Sequence, residues 1–131
     1  MPINISPRFH RVKIAHGDCH VVLEFRQFTA EEFSAYMRER YLNLPDDHSN
    51  EEQYHLATIN FVDRLLMNIS AVDPEGKPDI VTYYDVHANE DRELNPAVEN
   101  WKDHINPLWK ISAGFELTRI QSEMENSYLK N

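Results

Sequence analysis

Three side chains around one short turn are the chain's nearest approach to a metal site: His16, Cys19 and His20. Imidazole and thiolate are good zinc ligands, and a turn can gather closely spaced residues. A closed zinc site takes four ligands, however, and no CxxC or HExxH pattern supplies the rest. The same residues also read as a polar hairpin turn with Gly17-Asp18 at its tip. Cys19 beside a histidine has the parts of a nucleophile–base pair, yet no nucleophile elbow stands next to it. A denser polar group follows a Pro-rich break: Tyr83, Tyr84, Asp85, His87, Glu90 and Asp91. A carboxylate with an imidazole can do acid–base work, and loop carboxylates can hold a hard cation. An EF-hand needs a Gly and a distal Glu that are missing here, and a solvated acidic loop has the same composition. Its tyrosines also suit contact with a partner, since Tyr is enriched among residues that dominate binding energy. The 3 glycines, Gly17, Gly76 and Gly114, are scattered, so no Gly-rich loop is present to cradle a phosphate.

The elements that must position these residues start with two strands. Phe9 to Ala15 and His20 to Phe28 flank the turn, and Val21, Leu23 and Phe25 alternate onto one face. Thr29-Ala30-Glu31-Glu32 is a capping box, with Thr29 as N-cap and Glu32 at N3. It opens a helix from about Ala30 to Leu44, striped by Phe33, Tyr36, Met37, Tyr41 and Leu44. A second box, Ser49-Asn50-Glu51-Glu52, opens a longer helix from about Asn50 to Ala71, apolar on two flanks. Val72 to Pro78 is turn-rich. Ile80 to Val86 reads equally as a short strand or an extended loop. Asn95-Pro96 places an N-cap before a proline at N1 and starts a helix through about Ile105. Asn106-Pro107 repeats the signal and starts a last helix from Leu108 to about Tyr128. Trp101 and Trp109 flank that second start, either as core at a helix corner or with one partly exposed as an anchor.

Bulk properties narrow the class. The chain has 131 residues, 41% hydrophobic, which suits one domain over residues 1–131 that folds without disulfide or metal. Its net charge of -9 repels nucleic-acid phosphates and anionic lipid. Arg8, Arg11 and Lys13 are the one basic group, and a solvated strand face explains them. A lone cysteine fits a reducing compartment. Neither a membrane-length apolar run nor an apolar signal core occurs, so the expectation is a soluble cytoplasmic protein.

The order of elements resembles the tail assembly chaperones of long-tailed bacteriophages. The resemblance rests on Val21-Val22-Leu23-Glu24-Phe25-Arg26-Gln27-Phe28-Thr29-Ala30-Glu31-Glu32-Phe33, on the long helix Glu52 to Ile69 with an acidic loop after it, and on the Trp101 to Trp109 segment. It implies a non-catalytic protein of the host cytoplasm. Such a protein binds the tape-measure protein, or the tail tube protein, while the tail forms. The residues themselves lead to an α+β domain, with a small N-terminal antiparallel β-sheet packed by about four α-helices and an optional third strand near Ile80. They point to a binding or assembly role without a cofactor, with homo-oligomerisation open. Candidate partner contacts are Tyr36, Tyr41, Tyr83, Tyr84 and Trp109, each with core packing as the alternative. The rival readings are a small metal-dependent enzyme using His16, Cys19 and His20 or the Asp85–His87 group, and a structural virion subunit.

Overall fold

The computed structural model describes residues 9–41 and 50–129. Strand β1 (Phe9–His16) pairs antiparallel with β2 (Cys19–Arg26) in unbroken register, from Phe9 opposite Arg26 to His16 opposite Cys19. Gly17 turns the chain at φ 62, in the left-handed region that a two-residue hairpin turn requires. Because side chains alternate, His10, Val12 and Ile14 share the core side with Val21, Leu23 and Phe25. Arg11 and Lys13 stand on the outer side, where both are exposed.

The step from sheet to helix is set by the box at Thr29. Thr29 Oγ1 accepts the Glu32 N–H and Glu32 Oε1 accepts the Thr29 N–H, each at 3.1 Å. Arg26, at the end of β2, grips the same carboxylate with two guanidinium nitrogens at 2.8 and 2.7 Å. That bidentate grip, aided by the cap and opposed by partial burial, pulls Glu32 down to about 2. Helix α1 (Ala30–Tyr41) follows. The expected end of α1 at Leu44 and the N-cap Ser49 lie outside the described residues.

Helix α2 (Asn50–Leu65) stops short of the expected Ala71, and the chain passes without a loop into β3 (Leu66–Val72). The reason is tertiary. Lys102 Nζ donates to the Asp63 carbonyl at 2.6 Å, and Arg26 reaches the Arg64 carbonyl at 3.4 Å. Two cations thereby answer carbonyls that a helix end leaves open. The free side of β2 then takes β3 as an antiparallel neighbour, with Leu23 opposite Ile69 and a register shift at Glu24/Phe25. The third strand is therefore β3, not the Ile80 segment. A short β4 (Pro78–Asp79) completes a four-stranded sheet in the order β1-β2-β3-β4. The Ile80 region instead supplies β5 (Thr82–Asp85), which pairs with β6 (Glu90–Glu93) in a separate two-stranded sheet.

The expectation of about four helices is corrected to three among the described residues; the fold stays α+β. Asn95 does cap a turn, accepting the Ala97 N–H at 2.9 Å. The chain then departs from helix: Asn100 is left-handed at φ 55, and only a 3-10 turn forms over Trp101–His104 before Ile105 extends. The true start comes at the next signal. Asn106 Oδ1 accepts the Leu108 N–H at 3.0 Å, and α3 (Pro107–Leu129) begins with its proline at the first position.

The helices meet where one threonine serves all three. Thr58 on α2 is fully buried; its hydroxyl donates to the Tyr54 carbonyl at 2.9 Å and accepts the Tyr36 hydroxyl of α1 at 2.8 Å. Tyr36 stacks on Phe61 with ring centroids 4.4 Å apart. From α3, Gly114 approaches so closely that a Cβ there would overlap Thr58 Cγ2 and press on Val62 Cγ2 at 3.4 Å. Beside this point the buried Lys110 of α3 sits 2.8 Å from Asp63 Oδ1 of α2. Leu23, Phe25, Val62, Leu65 and Leu117 fill the core between sheet and helices. No described helix is long and apolar enough to cross a membrane.

Candidate functional site

The hairpin tip does not assemble a metal site. His16 and Cys19 face each other across the pair, on the core side of the sheet, whereas His20 pairs with Ala15 and points to the other side. His16 meets the edge of Trp109 at 5.6 Å. Among the described residues no three His, Cys, Asp or Glu side chains come together as a metal-holding group. The metal candidates are thus split by the pleat, and Trp109 is occupied as the aromatic support of the turn.

The polar group after the Pro-rich break is brought together, and with residues that its spacing does not reveal. The β5–β6 hairpin and the irregular segment 95–105 enclose an open cleft of about 580 Å³. One wall carries Tyr83, Tyr84, Asp85, Val86 and His87; the other carries Val98, Glu99, Asn100, Asp103 and His104. Tyr83 stacks on His104 at 4.4 Å and fixes the two walls together. Asp85 Oδ1 accepts the His87 and Ala88 N–H groups at 3.0 and 3.3 Å, which shapes the turn between the strands. Arg92 stands 3.6 Å from the other oxygen of Asp85 and 3.0 Å from Glu90. Asp85 is therefore committed to holding the hairpin, and its neighbour His87 is exposed. Glu90 and Asp91 lie on β6, exposed and away from the cleft lining.

The five tyrosine and tryptophan candidates separate by position. Tyr36 is 2% exposed and belongs to the core, where burial pushes its hydroxyl up in pKa. Tyr41 ends α1, and its side chain lies outside the described residues. Tyr83 is half-buried against His104. Tyr84 is 54% exposed, its hydroxyl bonded to Asn89 Oδ1 in the left-handed turn. The neighbouring Val86 is 76% exposed, and Ile80, at 53%, adds to the apolar surface of this region.

The second wall was beyond sequence reading because residues 95–105 carry a helix signal that the fold does not follow. Nothing in the spacing connects Tyr83 with His104. The one local signal was Asn100, a residue type that tolerates the left-handed conformation it adopts. Compared with protein-family models, with curated proteins and with solved structures, the chain finds no match.

Proposed function

We propose that this chain is a non-enzymatic binding protein that holds a segment of another protein in the cleft between the β5–β6 hairpin and residues 98–104. One observation carries the reading. Tyr84 and Val86 project into water, 54% and 76% exposed, from a hairpin whose other wall bears Glu99 and Asp103. Apolar side chains displayed at a concave, acid-rimmed surface are best satisfied by a partner that covers them. A segment with Lys or Arg among aliphatic residues answers both features. Its apolar side chains would lie on Val86 and Val98. Its cations would meet the carboxylates or the face of Tyr84. The resemblance to phage tail assembly chaperones makes the partner specific: an extended or helical stretch of a tape-measure protein, kept in solution until the tail tube forms.

The test is recovery of the tagged protein from its native host during phage induction, with the bound proteins identified by mass spectrometry. The expected result is a long, helix-rich tail protein that copurifies with the natural chain. Val86→Asp should reduce its recovery by about tenfold, while the unfolding free energy from urea denaturation stays within about 0.5 kcal/mol of the original, as for other exposed sites. Equal recovery with Val86→Asp would remove the cleft from the reading. A virion subunit would instead remain in the finished particle.

A further inference from the structure

The two edges of the main sheet are treated differently. At one edge β4 has only 2 residues and begins with Pro78, which lacks an N–H and cannot extend a ladder. At the other edge β1 runs for 8 residues, without proline and in unbroken register with β2. Among the described residues no strand pairs with its far side, so alternate N–H and C=O groups there are open to a further strand.

Helix α3 runs beside this edge and leaves a groove of about 500 Å³ between Arg11–Ile14 and the α3 residues Ser112 and Glu116. Four strand residues span about 13 Å at the usual rise. The charge of Glu116 is already answered by Arg119, whose guanidinium holds that carboxyl below its ordinary pKa. The groove's remaining charge is that of Arg11 and Lys13, which make no ion pair among the described residues. Arg11 has Glu24 as its neighbour on β2, and Lys13 has Val22. A chain of net charge -9 thus keeps two cations on this long edge strand.

We propose that the groove between the edge of β1 and α3 takes up an extended segment of a partner protein as an added strand, one that alternates acidic and apolar residues. Pleat geometry dictates that alternation. Residues of the added strand on the outer face would stand beside Arg11 and Lys13, within reach of carboxylates. Those on the inner face would lie between Val12 or Ile14 and the Ser112 side of α3. The cations also oppose a second copy of β1 in the central register. An antiparallel pair centred on Val12 would set Arg11 of each copy against Lys13 of the other, a like-charge arrangement that opposes pairing. The groove shares no lining residue with the cleft of β5 and β6, and this inference does not rest on the function proposed there.

The experiment uses the full chain and a peptide as long as β1 (8 residues) that alternates Glu and Val. Titration calorimetry gives its affinity, and amide NMR shifts locate it. The expected result is saturable binding with shifts concentrated in β1 and α3. N-methylation of alternate peptide amides, which removes strand hydrogen bonds and leaves every charge, should weaken it by about tenfold or more. The exposed double change Arg11→Glu with Lys13→Glu should do the same and transfer preference to a Lys–Val peptide. Absence of binding, binding indifferent to N-methylation, or self-association of the chain through β1 would each overturn the proposal.

Discussion

The body of the molecule and the β5–β6 hairpin draw on similar residues and hold together in opposite ways. In the body, each helix is tied to at least two other elements. Arg26 of β2 grips the first turn of α1 and touches the last turn of α2; Thr58 of α2 bonds Tyr36 and underlies Gly114 of α3. In the hairpin, no strand residue is fully buried. It is moored at its base, where Leu94 donates to the Val81 carbonyl at 2.7 Å, and by the stacking of Tyr83 on His104. An isolated two-stranded hairpin is marginal in water. Local stability therefore falls from the body to the hairpin, and the exposed Tyr84 and Val86 stand at the low end. The difference teaches where a contact surface can exist: where side chains are not already spent on packing.

Three measurements would break or sharpen that contrast. The largest effect belongs to the ion pair that joins α2 to α3. Asp63→Ala leaves Lys110 buried without its partner and should lower unfolding free energy by about 3 kcal/mol. Lys110→Met, which fills similar space, should lower it by less, since Asp63 keeps some water contact. Equal, small losses in urea denaturation would mean that this junction is no tighter than the hairpin.

Gly114 comes next. Helix propensity alone would favour alanine there by about 1 kcal/mol. Because an added Cβ overlaps Thr58, Gly114→Ala should instead destabilise by about 1 to 2 kcal/mol. A gain in thermal stability would show that α2 and α3 can move apart without loss.

The smallest effect is the pH response of the β2–α1 corner. Glu32 is held near 2 in the folded chain, against 4.5 for the free group. Its contribution is complete above about pH 4.5 and is lost as pH falls toward 2, because the unfolded chain takes up the proton first. Glu32→Gln should flatten that part of the stability–pH curve and lower neutral-pH stability by about 1 kcal/mol, Arg26 being partly in water. A Glu32→Gln curve parallel to the natural one would assign the acid sensitivity elsewhere.

The body was legible in sequence wherever a local rule fixed the geometry. Gly17-Asp18 made the turn, and Thr29 with Glu32 made the reciprocal cap that begins α1. Legibility ended where partners distant in the chain decide the outcome. Leu65, Leu66 and Ile69 keep helical spacing, so α2 reads on to Ala71. Its end at Leu65 is set by Lys102, Arg26 and the open side of β2. Asn95-Pro96 carries the same start signal as Asn106-Pro107, yet only the second leads into a helix, with the left-handed Asn100 lying between them. That one misreading added a helix to the expected architecture and hid half of the candidate cleft. The tyrosines of β5 were visible as contact candidates, while Val98, Asp103 and His104 were not.

The loop-free junction of α2 with β3 bears on how the chain can change in length. Segments 73–77 and 86–89 are turns, where residues can be added or lost with little effect on their neighbours. Between Leu65 and Leu66 there is no such slack. One residue inserted there must either rotate the end of α2 away from Lys102 and Arg26 or slip β3 by one position, which carries Ile69 from the core side to the outer side. A change of length is thus better accommodated in those turns than within residues 50–72, which the junction makes a block of fixed length.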